Sequence, residues 1–246
     1  METRSMPAKT APRRPVRRSK AGHGSWQAEK SHLMRLHILD ATMQCLVNIG
    51  YTQTTTEKIA KQAGVSRGAM THHFKSRADV FSAAAAHITD IRVMEYDAAI
   101  AKVTKRSGSF PTEESMQDTL KVLQEYYMQP SFIAYQELLR GARTDEELRE
   151  VMGPLEESLD DRINKSMVTR FPVWAEAGMQ ESAEVLRDLI MHSLQSVALD
   201  PAAYVKGNRL ARLHKFLSRI AMQEFHAAHE KAEQAKRDVH GRASGD

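Results

Sequence analysis

Side chains able to hydrogen-bond to a polyanion are concentrated in one stretch of the sequence. Residues 55–74 read TTEKIAKQAGVSRGAMTHHF, so hydroxyl, guanidinium and imidazole groups follow one another closely after Gly64. Two short helical segments flank Ala-Gly-Val-Ser, and the second is sized for the major groove of DNA, which is about 12 Å wide. The stretch therefore predicts a helix-turn-helix unit whose second helix runs from Ser66 to about His73.

Apolar side chains around the turn are placed to fix the two helices at an angle. They are Ile59, Ala60, Ala63, Val65 and Phe74. The second helix of the chain is predicted to begin at residues 54–57, where the Thr54 hydroxyl and the Glu57 carboxylate fit a capping box. The helix before it is predicted from Ser31 to Asn48, because apolar residues recur there at three- and four-residue steps and Gly50 stops it.

The stretch from Leu36 to Phe81 resembles the DNA-binding domain of the TetR (tetracycline-repressor-like) family. The resemblance implies a homodimeric regulator whose N-terminal helices bind operator DNA and whose C-terminal helices bind a small molecule and the partner subunit. The matching residues are Ile38-Leu39-Asp40-Ala41, Gly50-Tyr51, Thr54-Thr55, Ile59-Ala60, Ala63-Gly64-Val65-Ser66, Gly68-Ala69, His72-His73-Phe74 and Ser76-Arg77.

The resemblance also implies which matched residues contact DNA. Thr55 would hold a phosphate, His72 would touch a phosphate or sugar, and Arg77, which opens the fourth helix, would meet the phosphate backbone. The second helix of the motif would face base edges or backbone. The full set predicted to bind DNA is Thr54, Thr55, Ser66, Arg67, Gly68, Ala69, Thr71, His72, His73, Lys75 and Arg77.

One position departs from the family pattern. Thr71 stands where the family usually has tyrosine, and its shorter side chain changes the contact with a phosphate or a thymine methyl group. A basic N-terminal arm is expected to compensate by following phosphates or entering a minor groove. The basic residues of this arm are Arg13, Arg14, Arg17, Arg18 and Lys20.

The charge is distributed unevenly along the chain. Residues 1–30 carry eight Lys and Arg against two Glu, a balance of +6, and residues 31–80 carry six against three Asp and Glu, a balance of +3. Since the whole chain is +4, the remainder has a net charge of −5. A basic first third on an acidic body is typical of a protein whose N-terminal end meets a polyanion.

Helix signals dominate the whole chain after residue 30, so the predicted fold is all-α with about nine helices. The expected organisation is a disordered basic arm at 1–30, a helix-turn-helix DNA-binding domain at 31–78, an effector-binding and dimerisation domain at 79–230 and a polar tail at 231–246. Further helices are predicted at about 112–128, 131–143, 144–171, 180–199 and 206–228, with loops at 106–111 and 171–178. The helices at 180–199 and 206–228 are expected to form a four-helix dimer interface.

A mixed set of aromatic, methionine and polar residues in the second domain is typical of small-molecule pockets, although core packing accounts for the apolar members equally well. The set predicted to line an effector pocket is Tyr126, Gln129, Phe132, Tyr135, Gln136, Arg140, Met152, Trp174 and His192.

Other classes of site find little support. Cys45 is the only cysteine, which excludes internal disulfides and indicates a reducing, cytoplasmic setting near the nucleoid. Motifs of the G-x-S-x-G, H-E-x-x-H and P-loop kinds are absent, and His72 and His73 point apart on a helix, so no enzyme, cofactor or metal is predicted. The longest apolar stretch is too short to cross a membrane.

The predicted function is a repressor that binds a palindromic double-stranded operator as a homodimer and is released by a small-molecule effector. The fourth helix is expected to act as the hinge between the two domains. Two alternatives stay open: a ligand-independent, nucleoid-organising or division-linked DNA-binding protein, and an enzyme built on the helical body.

Overall fold

A computed structural model describes residues 21–104, 112–170 and 180–243 of the chain. These residues form ten α-helices and no strand, which confirms the predicted all-α fold. The helices are α1 Ala21–Gln53, α2 Thr56–Gln62, α3 Arg67–His73, α4 Arg77–Thr104, α5 Glu113–Tyr127, α6 Pro130–Ala142, α7 Glu146–Arg170, α8 Gln180–Leu199, α9 Pro201–Val205 and α10 Arg209–Ala243.

Contacts divide the chain into residues 1–36 and residues 37–246. In the first unit the structure describes the helical residues 21–36, where the Lys30 ammonium lies 5.4 Å from the Trp26 ring centroid. The helix begins ten residues earlier than predicted, so part of the segment expected to be disordered is helical. The basic residues of the predicted arm, Arg13 to Lys20, lie outside the described residues.

The second unit begins with a compact three-helix arrangement. Gly50, at φ 73° and ψ 168°, interrupts the regular helix in α1, so the predicted stop at this glycine is present as a kink. Thr55, not Thr54, is the N-cap of α2, and its hydroxyl accepts a hydrogen bond from the Lys58 amide at 3.3 Å. Ser66 caps α3 by accepting from the Ala69 amide at 3.1 Å, as predicted.

The helices of the larger part of this unit pack around α4. Helix α4 contacts α5, α6 and α7, while α5 also packs on α8 and α10. Their common core contains fully buried side chains from several helices: Leu120, Phe132, Leu138, Leu194 and Phe225. Sequence prediction placed α8 at its observed bounds, and α4 to α7 within a few residues of theirs.

Two predictions, on the loops and on the end of the last helix, fall outside or differ from the described structure. The predicted loops at 106–111 and 171–178 lie outside the described residues. The last helix runs on to Ala243 instead of ending near residue 228. Pro154 lies inside α7, which continues through it to Arg170. None of the described helices is long and apolar enough to cross a membrane.

Candidate functional site

Helix α3 is held against α2 by its apolar side. Met70 is buried in the middle of α3 and Phe74 is buried at its C-terminal end. They share this small core with buried Ile59, Ala60 and Ala63 of the α2 region. Burying these side chains leaves α3 one orientation relative to α2, which is what a recognition helix requires.

The turn between α2 and α3 depends on Gly64. This residue has a φ of 64°, in the left-handed region that glycine adopts without steric cost. The Gly64 amide donates to the Lys61 carbonyl at 3.1 Å, and the Val65 amide donates to the Ala60 carbonyl at 2.9 Å. These two bonds end α2 and direct the chain into α3 within a few residues.

The opposite side of α3 is open to solvent. Arg67, Gly68, Thr71 and His72 are exposed, whereas Ala69 and His73 are half-buried. The caps Thr55 and Ser66 are exposed as well, and so is Lys75 after the helix. Nearly all the residues predicted to bind DNA therefore lie around one short helix and its flanks.

The Thr71 hydroxyl is engaged within its own helix. It donates to the Arg67 carbonyl at 2.9 Å, the bond that threonine commonly makes to the residue four positions earlier. The position that usually holds tyrosine therefore presents a short side chain whose only hydroxyl proton is already donated. This favours an apolar contact through the threonine methyl over a hydrogen bond to phosphate.

The imidazoles of His72 and His73 contact each other edge to face, with ring centroids 5.2 Å apart. Within the part of the chain that the structure describes, no group of three His, Cys, Asp or Glu side chains is arranged to hold a metal ion.

Thr54 does not belong to the exposed surface, and its predicted contact with DNA is wrong. The side chain is 0% exposed, and its hydroxyl donates to the Gly50 carbonyl at 2.7 Å. The sequence offered three consecutive threonines, and pattern alone did not distinguish the one that closes the kink from the one that caps α2. Thr54 stabilises the turn between α1 and α2.

Arg77 is also placed differently from its predicted role. Its Nη1 donates to the Tyr51 hydroxyl at 2.9 Å and its Nη2 to the Tyr51 carbonyl at 3.2 Å. The guanidinium lies 4.4 Å from the ring centroids of both Tyr51 and Phe81. These contacts hold the guanidinium although its side chain is 39% exposed, so Arg77 positions the start of α4 and its contact with phosphate stays a prediction.

Tyr51 completes a junction between the DNA-binding helices and α7. Its hydroxyl donates to Oδ2 of Asp145 at 2.6 Å, and this bond lowers the pKa of the Asp145 carboxyl. The Asp145 Oδ2 atom also lies 3.8 Å from Nη1 of Arg77. Burial raises the pKa of Tyr51, which therefore stays a donor at neutral pH. We call Tyr51, Arg77 and Asp145 the junction triad.

Helix α6 closes this junction from the other side. The Tyr51 amide donates to Oε2 of Glu137 at 3.0 Å. A Cβ atom on Gly141 would lie 2.5 Å from a carbon of the Tyr51 ring, so only glycine fits at this position. Hydrogen bonds and close packing thus tie the end of α1 to both α6 and α7. Sequence reasoning missed Glu137, Gly141 and Asp145 because nothing local relates them to Tyr51.

A separate apolar cavity lies between α4, α5, α7 and α8. Its volume is about 50 Å³. Its walls are Tyr96, Ile100, Met116, Thr119, Leu120, Leu123, Met167, Arg187, Ile190 and Met191. Drug-sized ligands need about 300 Å³ or more, so in this conformation the cavity is nearly closed.

None of the described residues predicted for the effector pocket lines this cavity, so that set stays a prediction. Tyr126, Phe132, Tyr135 and Met152 are buried in the core. Their polar partners lie elsewhere: Gln129, Arg140 and His192 are exposed, Gln136 is half-buried, and Arg140 borders a polar groove beside the junction triad. Trp174 lies outside the described residues.

Residues 38–84 match the family model described as bacterial regulatory proteins, tetR family. This segment belongs to the TetR family. The match covers α2, α3 and their flanking helices, which are the elements that present the exposed face of α3. This confirms the resemblance found from the sequence.

Curated relatives that match part of this chain are transcriptional regulators by name. An uncharacterized HTH-type transcriptional regulator of Mycobacterium tuberculosis is 26% identical over 115 residues, covering 47% of this chain and 56% of the relative. The HTH-type transcriptional regulator AcrR of Shigella flexneri is 46% identical over 48 residues, 20% of this chain and 22% of AcrR. The chain thus spans about half the length, or less, of these relatives.

Solved structures resemble the TetR-family fold of this chain over most of its length. A transcriptional regulator from Rhodococcus sp. Rha1 superposes with a TM-score of 0.55 at 15% identity, covering 77% of this chain and 96% of that one. The multidrug binding protein EbrR complexed with ethidium gives a TM-score of 0.52 at 16% identity, covering 78% and 98%. These likenesses show the fold.

Proposed function

We propose that this protein is a repressor that binds a pseudo-palindromic operator as a homodimer and releases it when a small molecule enters the helical domain. The observation that carries this proposal is the polar, exposed face of α3 on a helix whose other side is buried. Arg67 supplies a cation there, Gly68 allows close approach of the backbone, and Thr71 and His72 complete the surface. Such a surface suits the major groove and little else.

The apolar surface of α8 supports the dimer. Val185 is 70% exposed, and Leu189 and Leu199 on the same helix are 45% and 43% exposed. Offsets of 4 and 14 residues bring these side chains to one face of the helix. Phe216 of α10 is a further large exposed side chain, at 51%. Large apolar side chains gathered on two helices are typical of an interface between protein chains.

Sedimentation equilibrium tests the dimer. The wild-type protein is expected to sediment as two chains, and the double variant Val185→Glu, Leu189→Glu as one. Val168→Glu is a matched control, because Val168 on α7 has the same 45% exposure as Leu189 and lies outside the proposed interface. A double variant that stays dimeric would remove α8 from the proposal.

The junction triad supports coupling between the two functions. Helix α4 begins at Arg77 in that junction and carries Tyr96 and Ile100 to the wall of the cavity. A ligand that enlarges the cavity must displace this helix or its neighbours, which shifts the population toward a conformation with a different spacing of the two α3 helices. The coupling required is about 1–3 kcal/mol.

Selection of bound fragments from random duplex DNA tests DNA recognition directly. The expected product is an inverted repeat whose half-sites lie about one helical turn apart. Arg67→Ala should recover fewer specific fragments. Equal recovery of all fragments by the wild-type protein would contradict the proposal.

A second candidate is a ligand-independent DNA-binding protein. The small volume of the cavity favours it, since about 50 Å³ holds little more than a water molecule or two. The two candidates differ in whether metabolites raise the melting temperature and weaken operator binding. A broad metabolite panel that does neither would favour the second candidate.

A further inference from the structure

Two arginines of the helical domain are withdrawn from solvent, Arg92 fully and Arg187 in part, and their surroundings differ. Arg187, on the cavity wall, has its charge matched by acids: its Nη2 lies 2.8 Å from Oδ1 of Asp188 and its Nη1 3.5 Å from Oδ1 of Asp160. Its Nη1 also donates to the side-chain oxygen of Asn164. Buried charges are normally paired in this way. Arg187 therefore needs no further partner.

Arg92 of α4 has no such compensation. The residue is 2% exposed, and among the described residues no carboxylate oxygen lies within ion-pairing distance of its guanidinium. Its Nη1 donates to the Tyr126 carbonyl at 3.3 Å, while its Nε has no partner. An arginine cannot lose its proton in a protein, so this cation stays charged in the core.

Aromatic rings surround the Arg92 guanidinium. Its central carbon lies 3.9 Å from the ring centroid of Tyr126, 5.0 Å from that of Phe132 and 5.5 Å from that of Tyr127. Ring faces attract a cation, but they leave its N–H groups without acceptors. The rings thus hold the guanidinium in place without neutralising it.

Two phenol groups near this cation are also unpartnered. The hydroxyls of Tyr126 and Tyr135 are buried without a hydrogen-bond partner. The charge of Arg92 acts on both phenols, and the Glu156 carboxylate acts more strongly than Arg92 on Tyr135. Burial raises the pKa of each, so both keep their protons and remain donors at neutral pH. A buried cation whose Nε lacks an acceptor and two buried hydroxyls without partners form a binding site for an anionic oxygen group.

The arginine site adjoins the apolar cavity. Tyr96 follows Arg92 by one turn of α4 and lines the cavity. The ring centroids of Tyr96 and Tyr126 lie 5.6 Å apart, edge to face. The same Tyr126 ring therefore contacts both the guanidinium and Tyr96, a residue of the cavity wall.

We propose that the effector is a carboxylate with an apolar body: Arg92 and the hydroxyls of Tyr126 and Tyr135 bind the carboxylate, and the cavity takes the apolar part. This proposal rests on the proposed function, of which it names the ligand class. Because the cavity holds about 50 Å³, the apolar body enters only when the helices around it separate. Binding thus selects a conformation with a wider cavity, and α4 carries the change toward Arg77.

Matched eight-carbon probes test the ligand class on the full chain without DNA. Octanoate, octanol and octylamine share one apolar body and differ in the charge of the head group. Isothermal titration should give octanoate an affinity at least about tenfold higher than octanol or octylamine. Ethidium, a cation bound by the structurally similar EbrR, serves as a second positively charged probe.

Variants of the site separate binding from folding. Arg92→Met removes the charge and keeps an unbranched apolar side chain, so the affinity for octanoate should fall about 10- to 100-fold. The melting temperature without ligand should stay equal or rise, because the variant lacks an uncompensated buried charge. Tyr135→Phe removes only a hydroxyl and should weaken octanoate about 2- to 10-fold without harming the fold. Arg162→Met, at an exposed arginine of α7, is the control that leaves octanoate binding unchanged.

Three results would overturn the proposal: octanol, octylamine or ethidium binding as tightly as octanoate, unchanged octanoate binding by Arg92→Met, or no binding of octanoate up to its solubility limit.

Operator binding is measured separately. Operator binding without any octanoate binding rejects the carboxylate site alone. A protein that binds octanoate through Arg92 but selects no duplex rejects the proposed function and keeps the carboxylate site.

Discussion

The Tyr51 hydroxyl and the Asp145 carboxylate, 94 positions apart in the sequence, share a hydrogen bond of 2.6 Å that joins the DNA-binding helices to the helical domain. The same hydroxyl accepts a hydrogen bond from Arg77 at the first residue of α4. The Tyr51 hydroxyl is therefore bonded to residues at the start of both α4 and α7. A movement of either helix changes the hydrogen bonds of this hydroxyl.

Tyr51→Phe is expected to lower the free energy of unfolding by about 1–3 kcal/mol, since it leaves Asp145 and Arg77 without a shared partner. Chemical denaturation checks the value. Operator affinity without effector should change little, while release by effector should require more ligand because the link between α4 and α7 is weaker.

A double-mutant cycle with Asp145→Asn isolates the bond itself. Groups in direct contact give non-additive losses, so the double variant should lose less than the sum of the two single variants. Strict additivity would mean that Tyr51 and Asp145 act independently.

Gly141→Ala should destabilise the fold by about 1–3 kcal/mol through overpacking. Its Cβ would meet the Tyr51 ring at 2.5 Å, and that ring cannot retreat because it lies against Phe81, with ring centroids 4.8 Å apart. Thermal denaturation measures the loss.

Gly68→Ala is the matched helical control, since its Cβ would meet nothing closer than the Ser66 hydroxyl oxygen at 3.8 Å. It should leave stability equal or raise it by up to about 1 kcal/mol. Equal losses for both glycines would show that Gly141 is not limited by the tyrosine.

Arg67→Ala should weaken operator binding and reduce the slope of log affinity against log salt by about one if Arg67 contacts a phosphate. If it contacts a guanine edge instead, sequence preference falls at one position of the half-site. Fluorescence anisotropy across a salt series distinguishes the two. Lys231→Ala, at an exposed lysine of α10, should change neither quantity.

His214 predicts a loss of stability in mild acid. Burial, with a smaller effect of the Lys121 charge, lowers its pKa below the usual 6.5, and its Nε2 has no hydrogen-bond partner. The unfolded chain therefore takes up a proton more readily than the folded chain, and the free energy of unfolding decreases as the pH falls below 6.5.

Denaturation curves at pH about 7.5 and about 5.5 measure this effect. His214→Leu should reduce the pH dependence between the two values. A wild-type protein equally stable at both values would contradict the account of His214.

Local sequence determined most of the fold and the exposed face of α3. Ser66 as a cap, Gly64 at the turn and the bounds of α8 followed from patterns that act over one or two helical turns. The error at α2 has a local cause too, because Thr54 and Thr55 both offer a capping hydroxyl and only the kink at Gly50 decides between them.

Contacts between distant segments could not be predicted in the same way. Arg77 looked like a phosphate ligand because it opens a helix beside the recognition helix, but its partners lie at Tyr51 and Asp145. The predicted pocket residues and the cavity wall differ for the same reason: the residues were chosen by composition, whereas the cavity wall is set by which faces of α4, α5, α7 and α8 meet.

The cavity wall includes three methionines: Met116, Met167 and Met191. Thioether side chains are unbranched and polarizable, so they adopt new rotamers around ligands of different shape at little cost in free energy. A fixed arginine beside such a compliant wall would discriminate poorly between straight, branched and ring-bearing acids and sharply between acids and their esters. Many related metabolites would then compete for one regulator, and its output would follow their combined concentration.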